Sequence, residues 1–190
     1  VINQKALDKL LKWKKPRQVF VQDMSDLLHT GIPFWMIDDV FSFFVRWQKR
    51  HTYLILTKYT QRMFEYFNSI ETRNIEYLQK TRAWLGVSAE NQKCFDKRWY
   101  YLKQIPAAQY WVSYEPALGP LILPPDFLRL GKRAWVVCGA ETGPGARPMD
   151  LAWARDLRDQ CKAAGVPYFF KSAGTRKPIP PDLMIRESIA

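Results

Sequence analysis

Every β-rich apolar run of this chain is followed at once by groups able to do chemistry. Asp23, Ser25 and Asp26 follow the run at 19–21, and Lys58 follows 53–56. Ser88 and Glu90 follow 84–87, Ser113 and Glu115 follow 110–112, Gly139 and Glu141 follow 134–137, and Lys171 follows 168–170. Any one of these has a plain structural explanation, because Ser and Asp cap helices and Glu in a first turn suits the helix dipole. Gathered on one rim they need partners, water or a ligand to offset desolvation. The most specific local feature is GAETGPGARP at 139–148. Gly139, Gly143 and Gly145 let backbone amides approach a ligand, and Arg147 is placed to clamp a carboxylate or phosphate. The segment fits neither the Walker A spacing nor the dinucleotide fingerprint, so it reads equally as an anion-binding loop or as a structural turn before the last helix.

Other chemistries find less support. His29 and His51 are the only histidines, and neither stands in a metal-ligand spacing with a cysteine, so local hydrogen bonds are expected of both and no metal ligand is assigned. The cysteines, Cys94, Cys138 and Cys161, are 44 and 23 residues apart and form no local cluster motif; Cys138 and Cys161 read as core. There is no nucleophile elbow, and no catalytic residue is assigned. Trp35, Phe41, Trp84 and Trp111 fall within strand and helix periodicities and are expected in the core.

The six runs are near-continuous rather than alternating, as strands buried on both faces read. Between them lie helical periods. Ile37, Val40, Phe41, Phe44 and Val45 form one stripe after Pro33, opposite Asp38, Asp39 and Arg46. Trp153, Leu157 and Cys161 repeat at a spacing of four before Gly165 and Pro167, a helix stop. Intervals of 24 to 34 residues between runs suit βα units with right-handed crossovers. No switch point is marked, so the strands should lie in sequence order as an α/β partial (β/α) barrel of about six parallel strands. One domain is expected over 1–175, with a proline-bearing C-terminal extension over 176–190. Sites of such folds sit at the strand carboxyl ends.

With 190 residues, 47% hydrophobic, the chain can bury a substantial core, and its apolar stretches are far shorter than the roughly 20 residues of a membrane span. No leader pattern opens it and its cysteines are few and odd in number, so a reduced, cytoplasmic setting is expected. The net charge is +11, with Lys5, Lys9, Lys12, Lys14, Lys15 and Arg17 against Asp8 near the start. That face reads either as the solvated side of a helix, whose apolar side is Ala6, Leu10, Leu11 and Trp13, or as a surface that meets phosphate in a nucleic acid.

FVQDMSDLLH at 20–29, LTK at 56–58, WLGVSAEN at 84–91, SYEPALGP at 113–120, GAETGPGARP at 139–148 and GVPYFFK at 165–171 resemble, in this order, a phage-associated bacterial family that looks like a radical SAM barrel. The resemblance covers almost the whole chain. It implies S-adenosylmethionine and a [4Fe-4S] cluster held by a preceding three-cysteine segment, and that segment is absent here. Because the chain opens on Val1, the expectation is a fragment lacking the cluster loop and first strand, with the edge at 19–21 exposed or covered by the basic helix. The implied activity is reductive cleavage of S-adenosylmethionine, with electrons from a reductase, to modify an unknown substrate, a nucleic acid among the candidates. Ser88, Glu90, Ser113 and Glu115 would hold cofactor or substrate, and Gly139, Glu141, Gly143 and Gly145 its amino-acid or ribose portion. Lys58, Arg147 and Lys171 would meet negative charge, and Asp23, Ser25 and Asp26 would line the substrate side. The competing readings are a non-catalytic scaffold and a basic nucleic-acid-binding module of a phage or prophage. No oligomeric state is implied.

Overall fold

In the computed structural model the described residues are 4–22, 25–47, 50–69, 78 and 80–188. The chain is α/β, and its strands are β1 (Gln18–Val21), β2 (Thr52–Thr57), β3 (Arg82–Ser88), β4 (Gln109–Tyr114), β5 (Ala134–Gly139) and β6 (Tyr168–Ser172). They form one six-stranded parallel sheet in the order β1-β2-β3-β4-β5-β6. With β1 and β6 at its two edges, this is the order of a partial barrel and not of a doubly wound sheet. Among the described residues no helix is long and apolar enough to cross a membrane. The chain divides into two compact units, one of Val1–Leu85 with Tyr101–Ala108, the other of Gly86–Tyr100 with Gln109–Ala190.

The first unit holds the basic helix α1 (Gln4–Lys12), β1, α2 (Phe34–Trp47), β2 and α3 (Thr60–Asn68). The α2 stripe buries Ile37, Phe41 and Phe44, while Asp39 and Arg46 face solvent. Phe44 stacks on Tyr53 of β2 at 3.7 Å, and Phe41 packs against Tyr66 and Phe67 of α3. Trp35 departs from the core expected for it and is 61% exposed, because two residues before Ile37 it points about 160° away from the stripe. Leu11 likewise is 46% exposed, leaving Leu10 as the buried residue of that pair. Gln18 and Phe20 on β1 are exposed.

In the second unit β4, β5 and β6 are backed by α4 (Gln92–Leu102), α5 (Pro125–Leu128) and α6 (Leu151–Ala164). On the helix-facing side Val112, Tyr114, Val136, Cys138 and Phe170 are fully buried, as are Leu157 and Cys161 of α6 and Phe95 of α4, and Trp99 of α4 meets Tyr110 of β4 edge-on at 5.7 Å. Asp150 caps α6 by accepting from the Ala152 N–H at 2.8 Å, and Gly165 ends it at φ +67°, with the Val166 N–H bonded back to Cys161. Gln92 and Gln160 fasten the loop between β4 and α5 through paired side-chain bonds to the backbone of Ile122, Leu121 and Leu123. The C-terminal extension turns back after a 3₁₀ turn at Pro181–Leu183 and pairs antiparallel with the edge of β6, Arg186 opposite Phe169. It thereby covers an edge that would otherwise present free N–H and C=O groups.

Candidate functional site

Strand alternation sorts the second unit's side chains into two faces. Opposite the helix face, β4 presents Trp111 and Ser113, β5 presents Trp135, Val137 and Gly139, and β6 presents Phe169 and Lys171. The aromatic residues form a row near the strand starts: Trp111 stacks on Trp135 at 5.7 Å, and Phe169 meets Trp135 edge-on at 6.2 Å. The polar residues come two to four positions later, at the carboxyl ends. The alternation therefore builds an aromatic floor and a charged rim from the same strands.

On the rim Lys171 donates to Glu115 Oε2 at 3.0 Å, across 56 positions of sequence. The pair spans β5 at Gly139, where a Cβ would stand 3.3 Å from Glu115 Oε1 and 3.4 Å from Lys171 Cβ. Glycine at this point lets the carboxylate and ammonium meet over the strand. The Ala117 N–H, two residues past Glu115, donates to the Gly139 carbonyl at 2.9 Å and fixes the loop there. Beside it, Ala89 N–H donates to the Ser113 carbonyl and Leu118 N–H to the Glu90 carbonyl. Ser88 and Ser113 are nearly buried, at 8% and 7% exposure.

Glu90 faces Arg98 of α4, which donates from Nη1 to Glu90 Oε2 at 2.8 Å and to the Ser88 carbonyl at 2.7 Å. Glu141 holds Arg147 through Nε, Nη2 and the backbone N–H, at 2.7 to 2.8 Å. Those contacts pull the Glu141 carboxyl down to about 2. Of the two readings of 139–148, the structural turn is thus present, as a staple from Glu141 to Arg147. The same loop also walls a cavity of about 300 Å³, shared with Gly174, Thr175 and Lys177 and joined by the Gly143 N–H donating to Thr175 Oγ1. Gly143 and Gly145 adopt φ of +103° and +73°, which only glycine takes without strain. Arg147 also senses the charge of Glu90, so the glycine loop and the β3 end belong to one region.

The structure brings Ser88, Glu90, Ser113, Glu115, Gly139, Glu141, Gly143, Gly145, Arg147 and Lys171 into the second unit's strand-end region. Ser25, Asp26 and Lys58 belong to the first unit, where Asp26 accepts from the Leu28 N–H, Thr57 Oγ1 and Lys58 N–H at 2.7 to 3.0 Å. That makes Asp26 a clip between the β1 and β2 loops; Ser25 is exposed, its N–H bonded to the Gln22 carbonyl. Asp23 lies outside the described residues. Arg98 and Thr57 were not legible as site residues, since each meets its partner only through the fold. A larger cleft of about 790 Å³ flanks the start of β6, but its Lys132, Arg158 and Lys162 are offset by Asp159, Asp182 and Glu187.

A family model described as "Protein of unknown function (DUF5131)" matches residues 1–184. The chain belongs to DUF5131. No curated protein matches it. Among solved structures, this DUF5131 chain is similar to the glycerol uptake operon antiterminator regulatory protein from Listeria monocytogenes. The two share 10% identity over 96% of this chain and 92% of that one, with a TM-score of 0.30.

The cysteines decide whether this DUF5131 chain's own residues suit an iron-sulfur cluster. Cys138 and Cys161 are wholly buried, and burial pushes the Cys138 thiol up to about 12 and that of Cys161 up as well. A cluster needs three accessible thiolates close together. Among the described residues no group of three His, Cys, Asp or Glu side chains is placed to hold a metal. Cys94, Cys138 and Cys161 do not fit a [4Fe-4S] cluster. An amino-acid zwitterion is a different case, since Glu115 and Lys171 offer one group of each sign side by side.

Proposed function

We propose that this DUF5131 chain binds S-adenosylmethionine at the carboxyl ends of β3 to β6, as the ligand-holding part of a radical-SAM-type enzyme. The Glu115–Lys171 pair over Gly139 is the observation that carries the reading. It sets an acceptor for an ammonium and a donor for a carboxylate 3.0 Å apart on a partly open rim, which suits the methionyl end of the ligand. Ser88 and Ser113 add hydroxyls beside it, and the 139–148 loop adds backbone donors at its glycines. Bound S-adenosylmethionine would supply the reactive sulfonium. The chain's residues bind and orient it.

The radical chemistry, the reductase and the unknown substrate, with a nucleic acid among the candidates, rest on the sequence resemblance alone. No step through a cluster is assigned, because the cysteines present do not fit one.

Isothermal titration of the 190-residue chain with S-adenosylmethionine tests the reading. Saturable binding is expected, weakened about tenfold or more in Glu115→Gln and Lys171→Met, as losing one charge-assisted hydrogen bond entails. Their urea midpoints should stay near the parent, because a half-exposed ion pair adds little stability. Absence of binding at millimolar ligand, or equal affinity in all three proteins, would overturn it.

A further inference from the structure

The first unit carries a dense surface charge that the strand-end site does not use. Lys5, Lys9 and Lys12 on α1, Lys14, Lys15 and Arg17 behind it and Arg50 before β2 are all exposed, with Asp8 the one carboxylate between residues 4 and 17. On a helix, spacings of four and three put Lys5, Lys9 and Lys12 on one face over about 10 Å. Leu10, 8% exposed, anchors the other side.

The segment behind α1 is fixed, which distinguishes it from a solvated tail. Arg17 donates its N–H to His51 Nδ1 at 3.2 Å, and its carbonyl accepts from the Thr52 N–H at 2.9 Å. Arg50 Nη1 donates to the Lys14 carbonyl at 3.0 Å. Trp13 meets His51 edge-on at 5.9 Å, with the Arg17 guanidinium 4.6 Å above its ring. The cations are therefore displayed from a backbone held at both ends of the segment, so less ordering is needed when an extended polyanion docks.

We propose that this surface docks on the phosphate backbone of a nucleic-acid duplex. Charge complementarity selects a polyanion. A membrane surface fits less well, because an interfacial helix needs a broad free apolar face, whereas α1 turns Leu10 inward and leaves Leu11 as its exposed large apolar residue. A single strand fits less well too, because Trp13, the aromatic residue of the segment, already has the Arg17 guanidinium over one face and His51 edge-on to it, so stacking a base there must displace a contact. The contacts are to phosphate and carry no base sequence.

The test is fluorescence anisotropy of the whole chain on a labelled DNA duplex of ~24 base pairs across a sodium chloride series. With four to six phosphates neutralised, log K should fall against log salt with a slope of about −4 to −5. Lys5→Gln/Lys9→Gln/Lys12→Gln should flatten that slope by about 2 to 3 and weaken binding more than tenfold at ~0.1 M salt. Lys14→Gln/Lys15→Gln, which leaves α1 intact, should flatten it by about 2. Circular dichroism and the urea midpoint should be parental in both, and so should S-adenosylmethionine titration of the triple variant, which separates this surface from the strand-end site. No binding at low salt, an unchanged slope in both variants, tighter binding to a single strand, or binding to phosphatidylserine vesicles without binding to the duplex would each overturn the proposal.

Discussion

Gly86 lies in β3 on the same face as the aromatic floor, and a Cβ built there would stand 2.3 to 2.5 Å from three atoms of the Trp111 indole. Ordinary contact begins near 3.4 Å, so Gly86→Ala forces a displacement of about 1 Å. Trp111 has little room to move, since it is 4% exposed and stacked on Trp135. Overpacking costs about 1–3 kcal/mol, and a shift of about 1 Å at a buried, stacked indole belongs in the upper half of that range, about 2–3 kcal/mol. The alanine recovers roughly 0.4–1 kcal/mol by restricting the unfolded chain, which leaves a net loss of about 1–2.5 kcal/mol. For a chain of this size that lowers Tm by roughly 2–10 °C. Urea unfolding gives the free energy directly, and Trp111→Val supplies the control because it removes the ring atoms the methyl would strike. In that background Gly86→Ala should be neutral or stabilising, a coupling of at least ~1 kcal/mol. A loss below ~0.5 kcal/mol in the parent, or an equal loss in both backgrounds, refutes the packing argument.

Asp26→Ala removes an acceptor shared by three donors, one of them the Thr57 hydroxyl on a side chain 1% exposed, and should cost about 2–3 kcal/mol in urea unfolding. The Glu141 carboxyl, held near 2 by Arg147, should stay ionised in a carbon-detected NMR titration well below its ordinary 4.5 and return towards that value in Arg147→Ala. Because its folded pKa is depressed, whatever stability the staple adds is complete above about 4.5 and is lost as the pH falls towards 2. Cys138 and Cys161 are wholly buried, so Ellman's reagent should label Cys94 first in the native chain and reach the other two only in denaturant. Rapid labelling of all three without denaturant would contradict the burial.

The middle of the sheet was legible because β3, β4 and β5 are buried on both faces, so the runs at 84–87, 110–112 and 134–137 stand out as unbroken apolar segments. Their sequence order followed from the absence of a switch point. Helix α6 announced itself through its four-residue repeat and the stop at Gly165 and Pro167, whereas its Asp150 cap emerged only from the structure. Helix α4 did not, because QKCFDKRWYYL carries charge on most of its turns and buries Phe95 and Trp99 only against Phe127 and Tyr110 of the same unit. The return of residues 185–187 to β6 was hidden by its prolines, which read as a terminating extension. Trp35 was misplaced since an aromatic residue at a helix start reveals its side only once the stripe is phased. The rim residues were visible one by one, but their partners were not: Lys171 reaches Glu115 through strand register, and Arg98 reaches Glu90 by the way α4 docks.

The three carboxylates of the rim differ in how readily they can exchange partners. Glu90 and its Arg98 are each largely covered, with side-chain exposures of 14% and 16%, and Arg98 is tied also to the Ser88 carbonyl. Glu141 makes three bonds to Arg147, so opening it means breaking three charge-assisted contacts together before any new one forms. Glu115 makes one bond to Lys171, whose side chain is 57% exposed and can swing outward. A ligand carrying both charges replaces that single bond with two and leaves neither group unpaired. The same ligand at the other two carboxylates would have to reach a largely covered pair or break the turn of the glycine loop. The energetics therefore separate two ion pairs that build the rim from the one that costs least to open, Glu115 with Lys171 over Gly139, and it is there that the proposed ligand would exchange.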